Sequence, residues 1–173
     1  APTGAGKTIV MTALFEDILF GSSDLEAQPD AVILWLSDMP ELNEQTRLKI
    51  ESKSDRIRVR QLVTVDSTFD AEQLAGGAIY FMNTQKLGTD KLLTRKGDQR
   101  QHTIWETFTN TALALPDRFY VVIDEAHRGM RVGKAAERAL TIMQRFLLGS
   151  DEDGLCRMPL VLGLSATPQR FEN

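Results

Sequence analysis

With a single cysteine, Cys156, the sequence has no intrachain partner for a disulfide, which excludes a cross-linked secreted scaffold. The only histidines are His102 and His127, and neither stands beside Cys156, so that residue reads as structural rather than catalytic. No apolar run approaches the length needed to cross a bilayer, and no basic leader followed by an apolar stretch opens the chain. These absences predict a soluble protein in a reducing, cytoplasmic setting, without a membrane partner. Aromatics are sparse at 7%, and Trp35 lies in a strand-like run and Trp105 in a helix-like one, so both are expected in the core rather than stacked on bases. Excess positive charge is lacking too: a net charge of −4 argues against holding nucleic acid by bulk electrostatics. Neither an internal repeat nor a low-complexity tract is visible.

What is present is an ordinary globular composition, 42% hydrophobic and 25% charged, in 173 residues, the size of one domain. Apolar runs of strand length recur: AVILWL from Ala31, IRVRQLVTV from Ile57, AIYFM from Ala78, FYVVI from Phe119 and PLVLGL from Pro159. Most lack alternation, as strands covered on both faces do. Between them lie segments of helix length: Lys7 to Phe20; Pro40 to about Ser52, with Asp38 as its cap; Ile104 to about Leu113, after the capping box TIWE; and Arg131 to Leu148. In the last of these Val132, Ala136, Ala139, Leu140, Met143 and Leu147 form the apolar side, and Arg131, Lys134, Arg138 and Arg145 the solvated one. Strands alternating with helices predict an α/β domain with a parallel sheet. Gly88 to Gln101 is polar, basic and glycine-containing, and reads as a long loop. The basic residues cluster locally, in Arg47 to Arg60 and again in Lys86 to Arg100, which leaves room for a local basic track.

Three short segments carry chemistry. The opening APTGAGKT matches the phosphate-loop pattern except that Ala1 replaces its first glycine. There Thr3, Gly4, Ala5 and Gly6 would turn backbone N–H groups toward phosphate oxygens, Lys7 would add charge at the outer phosphates, and Thr8 would ligate magnesium. The helix starting near Lys7 would aim its positive end at the same anion. In YVVIDEAH an apolar strand delivers Asp124 and Glu125 at its C-terminal end, where open α/β sheets bind ligands. Asp124 is placed to hold the metal, and Glu125 to polarise the attacking water. The third segment, GLSATPQR, is a strand running into Ser165, Ala166 and Thr167 before Pro168 ends it.

In this order APTGAGKT, DEAH and SATP resemble the first motor domain of superfamily 2 helicases and translocases. PELNEQT, Pro40 to Thr46, is similar to that family's motif Ia, and NTQKL, Asn83 to Leu87, stands in the place of motif Ib. The longer pattern most resembles the helicase subunit of type III restriction enzymes and related defence proteins. The resemblance implies a three-layer RecA-like P-loop NTPase domain with a mainly parallel central sheet, using ATP and Mg²⁺. It makes Lys7, Asp124 and Glu125 catalytic, His127, Ser165 and Thr167 the coupling between nucleotide state and nucleic-acid grip, and Gln45, Thr46, Asn83, Thr84 and Gln85 candidates for the nucleic-acid backbone. Helix capping is the competing role for those last five, and a histidine merely hydrogen-bonded beside the strand end is the competing role for His127. The implied partners are DNA, with RNA also open, a second RecA-like domain, and subunits of a restriction-modification or defence system. Residues 1–173 are then expected to be one lobe of a larger two-lobed motor, weak as an ATPase in isolation. Two other readings compete: a nucleic-acid or partner platform with a vestigial nucleotide site, and a P-loop NTPase of another class.

Overall fold

The computed structural model describes residues 3–88, 91–97, 99–124 and 132–164. Among the described residues four α-helices and five strands follow in the order α1 (Thr3–Phe20), β1 (Val32–Ser37), α2 (Pro40–Lys53), β2 (Leu62–Thr64), β3 (Ile79–Asn83), α3 (Ile104–Ala114), β4 (Phe119–Asp124), α4 (Val132–Leu148) and β5 (Leu160–Leu164). The strands form one sheet in the order β2-β3-β1-β4-β5, with every pairing parallel. The architecture is the α/β fold of a RecA-like domain.

Side chains alternate across the sheet and so divide the core in two. Leu34, Leu36, Tyr80, Met82, Val121 and Ile123 face one side, against Trp105 and Phe108 of α3 and Phe146 of α4. Ile33, Trp35, Phe81 and Val122 face the other, against Met11, Phe15 and Leu19 of α1 and Ile50 of α2. Both tryptophans are core residues, as expected. Trp35 meets Phe15 edge-on with ring centroids 5.9 Å apart, and Trp105 meets Phe108 at 6.1 Å. Each large apolar side chain so buried contributes about 1.5–3 kcal/mol.

Several local expectations hold and several are corrected. The capping box at α3 is formed: Thr103 Oγ1 accepts from Glu106 N–H and Glu106 Oε1 accepts from Thr103 N–H. Asp38 does not cap α2, whose N-cap is Met39 with Pro40 following; the carboxylate is taken by Thr84 instead. The strand expected from Ile57 shrinks to Leu62–Thr64, because Val59–Gln61 turns as a 3₁₀ helix. Gln61 fixes that turn, accepting from Arg58 N–H and donating to Gly77 O. Among the side chains described on α4, Ile142 and Phe146 are buried and Met143 packs against the same core, while Leu140 and Leu147 are exposed. Arg145 is not on the solvated side either: its guanidinium lies 5.4 Å from the Trp105 ring centroid and pairs with Asp153 at 3.3 Å. Gly149, at φ 77°, ends the helix; a Cβ there would sit 2.9 Å from Leu155 O. Finally β5, expected to be covered on both faces, exposes Leu160 and Leu162 because it is an outer strand of the described sheet. The 88–101 segment is a loop, as expected, in its described part.

Candidate functional site

The strand ends come level at one edge of the sheet. Asn83, Ser37, Asp124 and Leu164 are successive partners across β3, β1, β4 and β5, so these four strands end in one row. The first turns of α1 reach the same edge: Lys7 Nζ donates to Asp124 Oδ1 at 2.7 Å, joining residues 117 apart in sequence. Both partners are largely withdrawn from water, Lys7 at 13% and Asp124 at 6% exposure. Two charges held that dry carry a desolvation cost that their mutual attraction only partly offsets, so this pair is weak as a device for stability alone.

Thr8, next along α1, is also buried, and its carbonyl accepts from Thr12 Oγ1 at 2.7 Å. The helix begins at Thr3, one turn before the expected start near Lys7, so Gly4 and Gly6 lie in its opening turn. Glycine is among the poorest helix formers because of the backbone freedom it loses, so the two glycines make this helical turn only weakly favoured against a loop. A Cβ built on Gly6 would meet nothing within 4 Å. Packing among the described residues therefore does not require glycine at this position, and close approach of a ligand to the backbone is one physical reason for it. The opening N–H groups of a helix have no intrahelical acceptors, and here they lie at the edge where the strands end.

Residues 1–170 match the family model described as the type III restriction enzyme, res subunit. The chain belongs to that family. The res-subunit family is one of ATP-dependent, helicase-like motor domains, which use ATP with a divalent metal, bind nucleic acid and work with a second domain. No curated protein matches the chain. Among the described residues no helix is long and apolar enough to cross a membrane.

Magnesium takes oxygen ligands and keeps several waters, so a site for it needs only one or two protein oxygens beside the phosphates. The Asp124 carboxylate and the Thr8 hydroxyl are such donors, and the carboxylate already holds a cationic partner, the Lys7 ammonium. The residues present fit a metal–nucleotide complex. Of the other predicted site residues, Thr3, Gly4 and Ala5 are described only through their backbone, in the first turn of α1. Glu125, His127, Ser165 and Thr167 lie outside the described residues.

The nucleic-acid candidates separate into two kinds. Gln45 on α2 and Gln85 are exposed; Thr46 and Thr84 are buried, at 7% and 3%. Asn83 caps the short 3₁₀ helix Thr84–Leu87, its side-chain oxygen accepting from Gln85 N–H at 2.9 Å. Thr84 Oγ1 donates to Asp38 Oδ1 at 3.0 Å, which ties the loop after β3 to the loop after β1. Asp38 is the residue that sequence reasoning misplaced: DMP suggests a helix cap, and only the register of β1 against β3 reveals Thr84 as its neighbour.

Proposed function

We propose that residues 1–173 form the ATP-binding lobe of an ATP-dependent DNA helicase or translocase, the first RecA-like domain of a two-lobed motor. The observation that carries this reading is the buried Lys7–Asp124 pair at 2.7 Å, set where the strands end and α1 begins. In the resting protein each group neutralises the other. On nucleotide binding Lys7 turns from Asp124 to the outer phosphates, and the opening N–H groups of α1 hold the remaining oxygens. Thr8 and Asp124 would hold magnesium, which would supply positive charge to neutralise that developing on the phosphoryl group.

Glu125 orients the attacking water and accepts its proton. His127, with Ser165 and Thr167, couples the nucleotide state to the grip on the strand, for which Gln45 and Gln85 are the outward-facing candidates. Asn83 and Thr84 then act one step back, holding the turn that presents Gln85, while Thr46 is a buried residue of α2 beside Gln45. A second motor domain closes the other side of the nucleotide, and contacts that differ between closed and open states become steps along DNA.

The test is the steady-state rate of Mg-ATP hydrolysis by the chain joined to its second motor domain, with and without single-stranded DNA. The expected outcome is a rate that DNA raises at least severalfold and that Glu125→Gln abolishes. A rate indifferent to both DNA and RNA would instead support an NTPase of another class.

A further inference from the structure

At the opposite edge of the sheet, where β1 and β3 begin and α1 ends, the fold leaves a hollow of about 580 Å³. β1 alone spans about 17 Å, so this hollow stands well away from the Lys7–Asp124 corner. One wall is the segment 55–61 that follows α2, and the other is the chain at Gly76 and Gly77, laid against Pro29 and Asp30. A Cβ on Gly76 would sit 2.9 Å from Asp30 O, and one on Gly77, at φ 82°, 2.8 Å from Pro29 O, so that wall is backbone packed on backbone. Gln61 ties the two walls together, accepting from Arg58 N–H and donating to Gly77 O, each at 2.8 Å. At the other end of the segment the buried Ser54 hydroxyl accepts from Arg56 N–H at 3.2 Å and from Ile57 N–H at 2.9 Å. The arginine-bearing wall is thus pinned at both ends.

Arg56, Arg58 and Arg60 line the hollow against a single carboxylate, Asp55, and the segments that form it, 19–30, 54–61 and 76–77, are described throughout. Two adjoining carboxylates are already engaged, Asp30 with Arg118 at 2.7 Å and Glu16 with the Ser54 hydroxyl. The Arg56 guanidinium lies 4.6 Å from the Phe20 ring centroid, at the end of α1, where a cation also suits the negative end of the helix. Arg58 and Arg60 are exposed, and among the described residues no carboxylate pairs with any of the three guanidiniums. Arginine presents its donors as a planar fork that matches phosphate oxygens, and the volume lies within the roughly 300–1,000 Å³ of small-ligand sites. Of the apolar lining, Leu19 is buried and Phe20 lies under Arg56, which leaves a protein partner little of the anchoring that such interfaces use. The hollow also lies at the far end of β3 from Gln85, so it does not continue the strand contact assigned to that turn.

We propose that this hollow binds a small phosphate-bearing anion, held by Arg58 and Arg60 with Arg56, braced on Phe20, as the third contact. It is a second anion site, independent of the nucleotide reading.

Amide NMR of the chain titrated with inorganic pyrophosphate, without magnesium, tests it, because the shifts report where the anion sits. The amides of Arg56 to Gln61 and of Gly77 should move saturably, at a Kd below about 1 mM. Arg58→Gln/Arg60→Gln should bind there at least about tenfold more weakly, having lost charge-assisted donors, with an unchanged melting temperature. Shifts caused by the same anion at Gly4 to Thr8 should be alike in both proteins. No saturable movement at 56–61, or movement there that the variant keeps, would overturn the second site and leave the nucleotide reading intact. Saturable movement at 56–61 with none at Gly4 to Thr8 would do the reverse. An oligoglutamate peptide that saturates the same amides at lower concentration than pyrophosphate would overturn the phosphate assignment in favour of an acidic protein segment.

Discussion

At the β4 end of the sheet edge one ammonium meets one carboxylate in near-complete burial; beyond the β2 end, among the described residues, Arg95, Lys96, Arg100 and Asp70 line an open hollow of about 430 Å³. Three strand spacings, about 14 Å, separate β2 from β4. The two regions use charge in opposite ways. Lys7 and Asp124 are few, dry and mutually dependent, so each governs the other's energy and geometry. Arg95 and Lys96 are exposed, where charge is screened by salt and contributes little to folding.

The largest effect should come from breaking the buried pair. Lys7→Ala leaves the Asp124 carboxylate withdrawn from water without its ammonium and should cost about 3–5 kcal/mol in urea unfolding. Lys7→Met combined with Asp124→Leu removes both charges and should recover most of that loss. A double variant no better than the single one would show that the pair does not behave as a coupled, desolvated unit.

A smaller effect, confined to the other region, should follow loss of Asp70. Backbone N–H donation from Gln101, and then from His102, holds the Asp70 carboxyl below the ordinary aspartate value of 3.8. Its folded pKa is thus depressed, so its stabilisation is complete above the unfolded value and disappears as pH falls through the folded one. Amide exchange at Gln101 and His102, taken relative to the intrinsic rate at the same pH, should accelerate in Asp70→Ala at neutral pH and in wild type below pH 3.8, while exchange in β1 and β4 stays protected. Equal acceleration in those central strands would mean that the loop is not a separate, local layer of stability.

The same division explains what the residues made legible before the fold was known. Parallel α/β architecture, the ends of α3 and the placement of both tryptophans follow from local patterns: apolar runs, TIWE, and large rings within periodic segments. Lys7 and Asp124 could be singled out because phosphate-loop and strand-end carboxylate patterns are written in adjacent letters, and the structure brings the two side chains together. What local pattern could not give was anything decided by register or by position in the sheet. Asp38 has the letters of a cap, yet β1 and β3 lie in the register that hands it to Thr84. VILWLS and LVLGL are equally apolar, yet β1 is central and wholly buried while β5 is an outer strand with Leu160 and Leu162 exposed. The basic run of residues 86–100 was visible as charge, but Ser67 and Thr68, contributed from beyond β2, complete its hollow only in three dimensions.

The most direct test of the nucleotide site is the melting temperature of the chain as Mg-ATP is added, because a ligand that binds only the folded state stabilises it with the logarithm of its concentration over Kd. Wild type and Glu125→Gln should both rise with Mg-ATP, and Lys7→Ala, starting lower, should stay flat. A wild-type melting temperature indifferent to Mg-ATP, or a Lys7→Ala variant that climbs as steeply as wild type, would contradict the assignment of the Lys7–Asp124 corner to nucleotide.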